Sequence, residues 1–150
     1  MFKESTWKEG EKTIQDFMKK QGYKIIYTNF SCVGVELDIV AILPRSIQIR
    51  RLKREFLLKI ACDKVNKKMY KASLKAFVKA AQDILVITEV KSRESDKFGM
   101  GLEAISEHKK QNLIRGARFL QKDKRFENLQ LRFDIASVDA GSVTYIEDAF

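Results

Sequence analysis

The run Ile84-Leu85-Val86-Ile87 passes without a turn residue into Thr88-Glu89-Val90-Lys91-Ser92-Arg93. A short apolar run of this kind reads as a strand buried on both faces. Side chains alternate along a strand, so Glu89, Lys91 and Arg93 point to one side. A carboxylate and an ammonium two residues apart at the end of a buried strand are costly to hide unpaired. The strand therefore demands a covered sheet around it and a polar site at one end.

The chain supplies partners for that strand. Val35-Glu36-Leu37-Asp38-Ile39-Val40-Ala41-Ile42-Leu43 reads as a second, central strand, with Glu36 and Asp38 on one face. Two acids on one face repel unless a cation or a proton intervenes. An earlier strand is expected over 23–30, with a turn-like stretch over 29–34. Later strands are expected over 131–138 and 143–146. A first helix, capped by Ser5 or Thr6 with Glu9 closing a capping box, buries Trp7, Ile14, Phe17 and Met18 and stops at Gly22. Glu11 falls close to its inward face, as a solvated residue at the stripe's edge or as a site residue. A helix over 102–121 buries Ala104, Ile105, Leu113, Ala117 and Leu120, with His108 and Lys109 near its middle. The lone His108 reads as a surface residue.

Pro44 ends the second strand and opens a segment of different character. From Arg45 to Lys79 the chain carries twelve Lys or Arg and two acids, Glu55 and Asp63. That is an excess of ten positive charges, against +9 for all 150 residues, so the remainder is nearly neutral. Ile49, Leu52, Phe56, Leu57 and Ile60 follow helical spacing there, and Met69, Leu74, Phe77, Val78 and Ala81 do so less regularly. The segment reads as two helices with a weak point near 63–66, or as one long helix. Its cations suit a polyanion, nucleic acid first. A solvated basic face over a packing stripe and a membrane-surface helix are the competing readings.

Other classes recede. No apolar run approaches the roughly 20 residues needed to span a bilayer, and no apolar signal region opens the chain, so a cytoplasmic location is expected. Cys32 and Cys62 lack paired spacing and read as reduced thiols. There is no Gly-rich phosphate loop and no sign of a small-molecule cofactor.

With the two strands side by side, Asp38 faces the same side as Glu89 and Lys91. Carboxylates converging from adjacent strands suit a hard cation such as Mg2+ or Mn2+. Such a cation activates water near neutral pH and offsets charge on a phosphate. Lys91 is placed to orient that water or stabilise the phosphorus centre, and Arg93 to hold a neighbouring phosphate.

These pieces resemble the YraN-type family of small bacterial proteins, within the restriction-endonuclease-like, or PD-(D/E)xK, nuclease superfamily. Gly10-Glu11 resembles the family's Gly-Glu in the first helix. Gly22-Tyr23-x-Ile25 and Asn29-Phe30 resemble the opening of its first strands. Val35 to Ala41 resembles Gly-Glu-Ile-Asp-Leu-Ile-Ala, with Val35 where glycine is usual. Glu89-Val90-Lys91-Ser92-Arg93 resembles Glu-Val-Lys-x-Arg. Phe98-Gly99, Glu103-Ala104-Ile105 and Lys109 fit the family's next loop and helix. Arg132-Phe133-Asp134-Ile135 and Ile146-Glu147-Asp148-Ala149-Phe150 fit its C-terminal part. The resemblance covers nearly all of 9–43 and 84–150; the segment from about Pro44 to Gln82 has no counterpart, since the family joins these strands by a short turn.

The resemblance implies an α/β fold, a restriction-endonuclease-like mixed central sheet flanked by helices; the residues themselves add a basic helical insertion between the second and third strands. One domain over 1–150 is expected, with the insertion at 45–82. The implied catalytic set is Glu11, Asp38, Glu89 and Lys91, with metal held by Asp38, Glu89 and the accessory Glu36. The implied activity is a metal-dependent, structure-selective DNA endonuclease of repair or recombination. The alternative is a nuclease-fold module that binds nucleic acid or a partner without cutting. Arg50, Arg51, Lys53, Arg54, Lys67, Lys68, Lys71 and Lys75, with Arg93 and Lys109, are the candidate contacts to DNA, branched DNA included. The insertion is expected to project beside the active site; its apolar stripe alternatively serves a homodimer or partner interface.

Overall fold

Ile84, Leu85, Val86 and Ile87 are each no more than 9% exposed, which a strand achieves only when both faces of its sheet are covered. The computed structural model describes residues 2–61, 66–92, 105–139 and 141–150, with the side chains of 2–7 and 92 outside that description. Its elements run α1 (Phe2–Lys20), β1 (Lys24–Cys32), β2 (Val35–Leu43), α2 (Arg45–Ala61), α3 (Lys67–Ala80), β3 (Ile84–Ser92), α4 (Glu107–Leu120), β4 (Gln130–Asp139) and β5 (Ser142–Ile146). The strands form one sheet in the order β1-β2-β3-β4-β5. Among the described residues β3 and β4 pair in parallel, joined by the α4 crossover, and β1–β2, β2–β3 and β4–β5 pair antiparallel.

Each face has its own helix. Ile14 and Met18 of α1 pack with Ile39, Ala41, Leu43, Ile84 and Val86. Leu113, Ala117 and Leu120 of α4 pack with Leu37, Val40, Leu85, Ile87 and Ile135 on the opposite side. Each fully buried aliphatic side chain contributes about 1.5–3 kcal/mol of transfer free energy. Glycine permits two close approaches. Gly22, at φ +91°, ends α1 in a Schellman arrangement, Tyr23 N donating to Met18 O and Gly22 N to Lys19 O. A Cβ at Gly116 of α4 would stand 2.8 Å from Leu37 Cδ2, so α4 lies tightly on β2.

The mixed sheet between helices, with a helical excursion between β2 and β3, is the expected architecture. Several boundaries differ. The first helix begins at Phe2, placing Ser5 and Thr6 inside it rather than at its cap. β1 runs on to Cys32, so only Val33 and Gly34, both at positive φ, form the turn expected over 29–34. The helix over 102–121 is α4, starting at Glu107 after a Ser106 cap whose Oγ accepts from Lys109 N; Ile105 precedes it, and 102–104 lie outside the described residues. Cys32 is buried and unbridged; Cys62 lies outside the described residues, as do Phe98, Gly99, Glu103 and Ala104.

The basic segment is two helices, with Asn66 Oδ1 capping α3 through Lys68 N and Met69 N. Phe56 and Tyr70 stack between them, ring centroids 4.2 Å apart and planes 3° off parallel. Leu57 and Met69, expected inside, point outward at 66% and 67% exposure. The hairpin leaves the sheet where Leu43 pairs with Ile84. Asp38 and Glu89 lie five residues along these strands, about 16 Å away at 3.3 Å per residue. The arm therefore leaves the end of the sheet opposite those residues, not the position beside them that was expected. No described helix is long and apolar enough to cross a membrane.

A polar network binds the arm end to the body. Asp134, fully buried, accepts from Arg132 Nε and Nη2, Tyr145 Oη and Asp148 N. Arg132 continues to Tyr23 Oη and Glu147, and Glu147 accepts from Arg51 of α2. Removing one partner of such a buried pair strands the other charge. Asp134→Ala should therefore lower unfolding free energy by about 3–5 kcal/mol in urea titration; a loss under 1 kcal/mol would show that Arg132 finds solvent.

Candidate active site

β2 and β3 pair regularly from Leu43↔Ile84 to Ile39↔Thr88, and the ladder then stops. At the next position the Asp38 carboxylate replaces a backbone carbonyl: its Oδ2 accepts from Val90 N at 2.7 Å. The face alternation of β2 breaks here, since Leu37 and Val40, three residues apart, both join the α4-side cluster. The facing strand is irregular at the same level. Asn29 of β1 lies between the pairs Thr28↔Ile39 and Phe30↔Leu37, opposite Asp38, at φ +50°. Asparagine tolerates this left-handed conformation better than most residues. Local irregularity in two adjacent strands re-aims the side chains between them.

Asp38 meets Glu89. With the Glu89 carboxyl beside it, the Asp38 pKa is pushed up to about 7. Loss of hydration on burial is the main cause and the Glu89 charge the second, while the Val90 N–H and the Lys109 ammonium act in the opposite direction. Glu89 Oε2 lies 2.9 Å from Lys109 Nζ of α4. That ion pair lacks hydrogen-bond geometry, and the buried Oε2 has no hydrogen-bond partner. Lys91, two residues beyond Glu89 on β3, is half-buried and in register with Ser137 of β4. The Ser137 hydroxyl is also buried without a hydrogen-bond partner.

Glu11 is inward, only 5% exposed, and accepts from Asn29 Nδ2 at 3.0 Å. It thus reaches the site's edge through the residue opposite Asp38. Glu36 is exposed on β2. Among the described residues no three His, Cys, Asp or Glu side chains converge to hold an ion. The structure brings together Asp38 and Glu89, with Glu11 one side chain removed and Glu36 apart. Lys109, expected as a DNA contact, stands inside the site.

Of the arm's candidate contacts, Arg50, Lys53, Arg54, Lys67, Lys68, Lys71 and Lys75 are exposed. Arg51 instead turns to the body, donating to Glu147 Oε1 and Gln21 O and lying over the Tyr23 ring. Arg93 lies outside the described residues. In the sequence Asn29 is marked only as part of a strand-opening motif, and Ser137 carries no signal, since a polar residue within a strand pattern is ordinary until the sheet registers it against a charged one.

Two facing carboxylates, one with an oxygen lacking a donor, fit Mg2+ or Mn2+, because Mg2+ commonly takes one or two carboxylates and keeps several waters.

Comparison with known proteins places this arrangement among relatives. The model of the "Uncharacterised protein family UPF0102" matches residues 10–138. A UPF0102 protein of Clostridium acetobutylicum is 29% identical over 147 residues, covering 94% of this chain and 89% of the relative. One from Alkaliphilus metalliredigens is 31% identical over 144 residues, covering 94% and 93%. One from Caldanaerobacter subterraneus is 28% identical over 129 residues, covering 86% and 75%.

The raised Asp38 pKa has a definite sign in stability. The folded state holds this proton more tightly than the unfolded chain, whose group titrates near 3.8. The contribution of Asp38 is thus fully present below pH 3.8 and is lost as pH rises through about 7. Between pH 5 and 8 in metal-free buffer, Asp38→Asn should show a flatter fall of urea stability with pH than the wild type. Equal slopes would contradict the raised Asp38 pKa.

Proposed function

The chain belongs to the UPF0102 family, and from that footing together with the facing carboxylates of β2 and β3 we propose that it is a metal-dependent, structure-selective DNA endonuclease of repair or recombination. The observation that carries the reading is the Asp38–Glu89 contact at the point where the β2–β3 ladder stops.

Asp38 and Glu89 would hold the Mg2+ or Mn2+. When bound, the ion supplies charge stabilisation at the phosphate and acidification of water. The chain's own residues do the rest. Val90 N–H fixes one Asp38 oxygen and leaves the other free to turn toward Glu89. The Asn29 amide holds Glu11 at the edge of the site. Lys91, on the Glu89 side of β3, offers an ammonium to charge developing on the phosphate oxygens.

The arm supplies backbone contact away from the site. Lys68, Lys71, Lys75 and Lys79 fall on one stripe of α3, spanning about 16 Å at 1.5 Å per residue. Phosphate contacts of this kind position a duplex without reading its sequence. Because the arm and the site lie at opposite ends of β2 and β3, about 16 Å apart at 3.3 Å per residue, a substrate touching both spans at least about five base pairs.

A second reading, binding without cutting, is favoured by one observation: only two carboxylates converge among the described residues. The two separate in a nuclease assay on branched, nicked and single-stranded DNA with Mg2+ or Mn2+. Cleavage abolished, by at least about a hundredfold, in both Asp38→Ala and Lys91→Ala is the expected result. Cleavage that persists in both variants would mean the site is elsewhere. If six arm cations bind phosphates, log K falls with log salt at a slope of about −5. Replacing Arg50, Lys53, Arg54, Lys68, Lys71 and Lys75 by Gln should flatten that slope to near zero, and an unchanged slope would remove the arm from DNA binding.

A further inference from the structure

Lys109 occupies a position that helix physics disfavours. Ser106 caps α4 and accepts from Lys109 N, so Lys109 lies in the first turn. The N-terminal end of a helix carries partial positive charge, which stabilises acids and opposes ammonium groups. Glu107 in the same turn follows that rule and pairs with Lys110. Lys109 breaks it, and a residue that breaks a local rule is compensated by some other contact. That contact is Glu89: Nζ stands 2.9 Å from Oε2, the same oxygen that is buried without a hydrogen-bond partner.

Charge balance indicates what the ammonium does there. Asp38 and Glu89 together carry two negative charges when both ionise. One ammonium offsets half of that, and it stands 2.9 Å from a Glu89 oxygen that has no hydrogen-bond partner. A divalent cation between them offsets both charges at once. The Lys109 ammonium would then be one positive charge too many, a few ångströms from the ion. The Glu89 side chain is 13% exposed and that of Lys109 36% exposed. The lysine is thus the partner with access to solvent, on a flexible four-carbon stem.

We propose that Lys109 is a resident counter-cation, which holds Glu89 while no metal is present, competes with the divalent ion for it, and turns outward to the substrate phosphate when the ion enters. This rests on the reading of Asp38 and Glu89 as metal ligands. It makes Lys109 a positioning and competing group in the metal-free state, and a phosphate contact only after exchange.

The test is Mn2+ binding to the full-length protein, followed by the paramagnetic signal of free Mn2+, for wild type, Lys109→Met and Lys109→Arg. Melting curves confirm that all three are folded. Removing the competitor should tighten Mn2+ binding by Lys109→Met about tenfold, within the usual range for coupled sites, while Lys109→Arg keeps wild-type affinity. Cleavage by Lys109→Met should fall despite the tighter metal. Equal or weaker Mn2+ binding by a folded Lys109→Met, with wild type binding normally, overturns the competition. Absence of Mn2+ binding in all three proteins overturns the metal reading on which it rests.

Discussion

Asp38 accepts the Val90 N–H in place of a backbone carbonyl, and the organisation of the site depends on that one bond. It ends the β2–β3 ladder while keeping the strands together. It anchors one carboxylate oxygen and aims the other at Glu89. It also raises a demand that apolar packing cannot meet, since two adjacent half-buried carboxyl groups repel unless a proton, an ammonium or a metal intervenes. Here the Val90 N–H and the Lys109 ammonium offset part of it, and the Asp38 pKa is raised. In the function proposed for this protein, a divalent cation would meet the same demand. Lys91 and Ser137 on the neighbouring strands, and Glu11 held through Asn29, complete the polar surroundings.

The other end of the sheet solves a different problem. An excess of ten positive charges on one hairpin is self-repelling and gains little from its own small apolar interior. The hairpin is held by the Phe56–Tyr70 stack and by bonds at its base. Arg45 N donates to Asp83 and Gln48 Nε2 to Gln82 O. Arg51 then joins it to Glu147 and through it to the buried Arg132–Asp134 pair. Arg51 is thereby lost to any external ligand and fixes the arm's root instead. The outer cations stay solvated, as a surface waiting on polyanionic phosphate would require.

Much of this was legible in the residues. The unbroken apolar run at Ile84–Ile87 demanded covered faces, and alternation placed Glu89 and Lys91 on one side. The inward placement of Glu11 was readable from its spacing to Ile14. What the sequence did not reveal depended on three-dimensional register. Alternation put Glu36 and Asp38 on one face, but the break near Asp38 leaves Glu36 exposed and apart. Helical spacing counted Leu57 and Met69 as buried, yet a two-helix arm has only one shared interface and leaves them in solvent. Strand polarity alone placed the arm at the end away from Glu89, since any insertion between Leu43 and Ile84 must leave from their shared end. Lys109 was visible as a cation but not as the partner of Glu89, because only the crossover brings the start of α4 to β3.

The most direct measurement of the central claim is a crystal structure of the protein soaked in Mn2+, with anomalous scattering used to locate the ion. The predicted result is a single peak between the Asp38 and Glu89 carboxylates, with Lys109 turned away from Glu89. A fully soaked crystal with no peak there, and Lys109 still paired with Glu89, would contradict it.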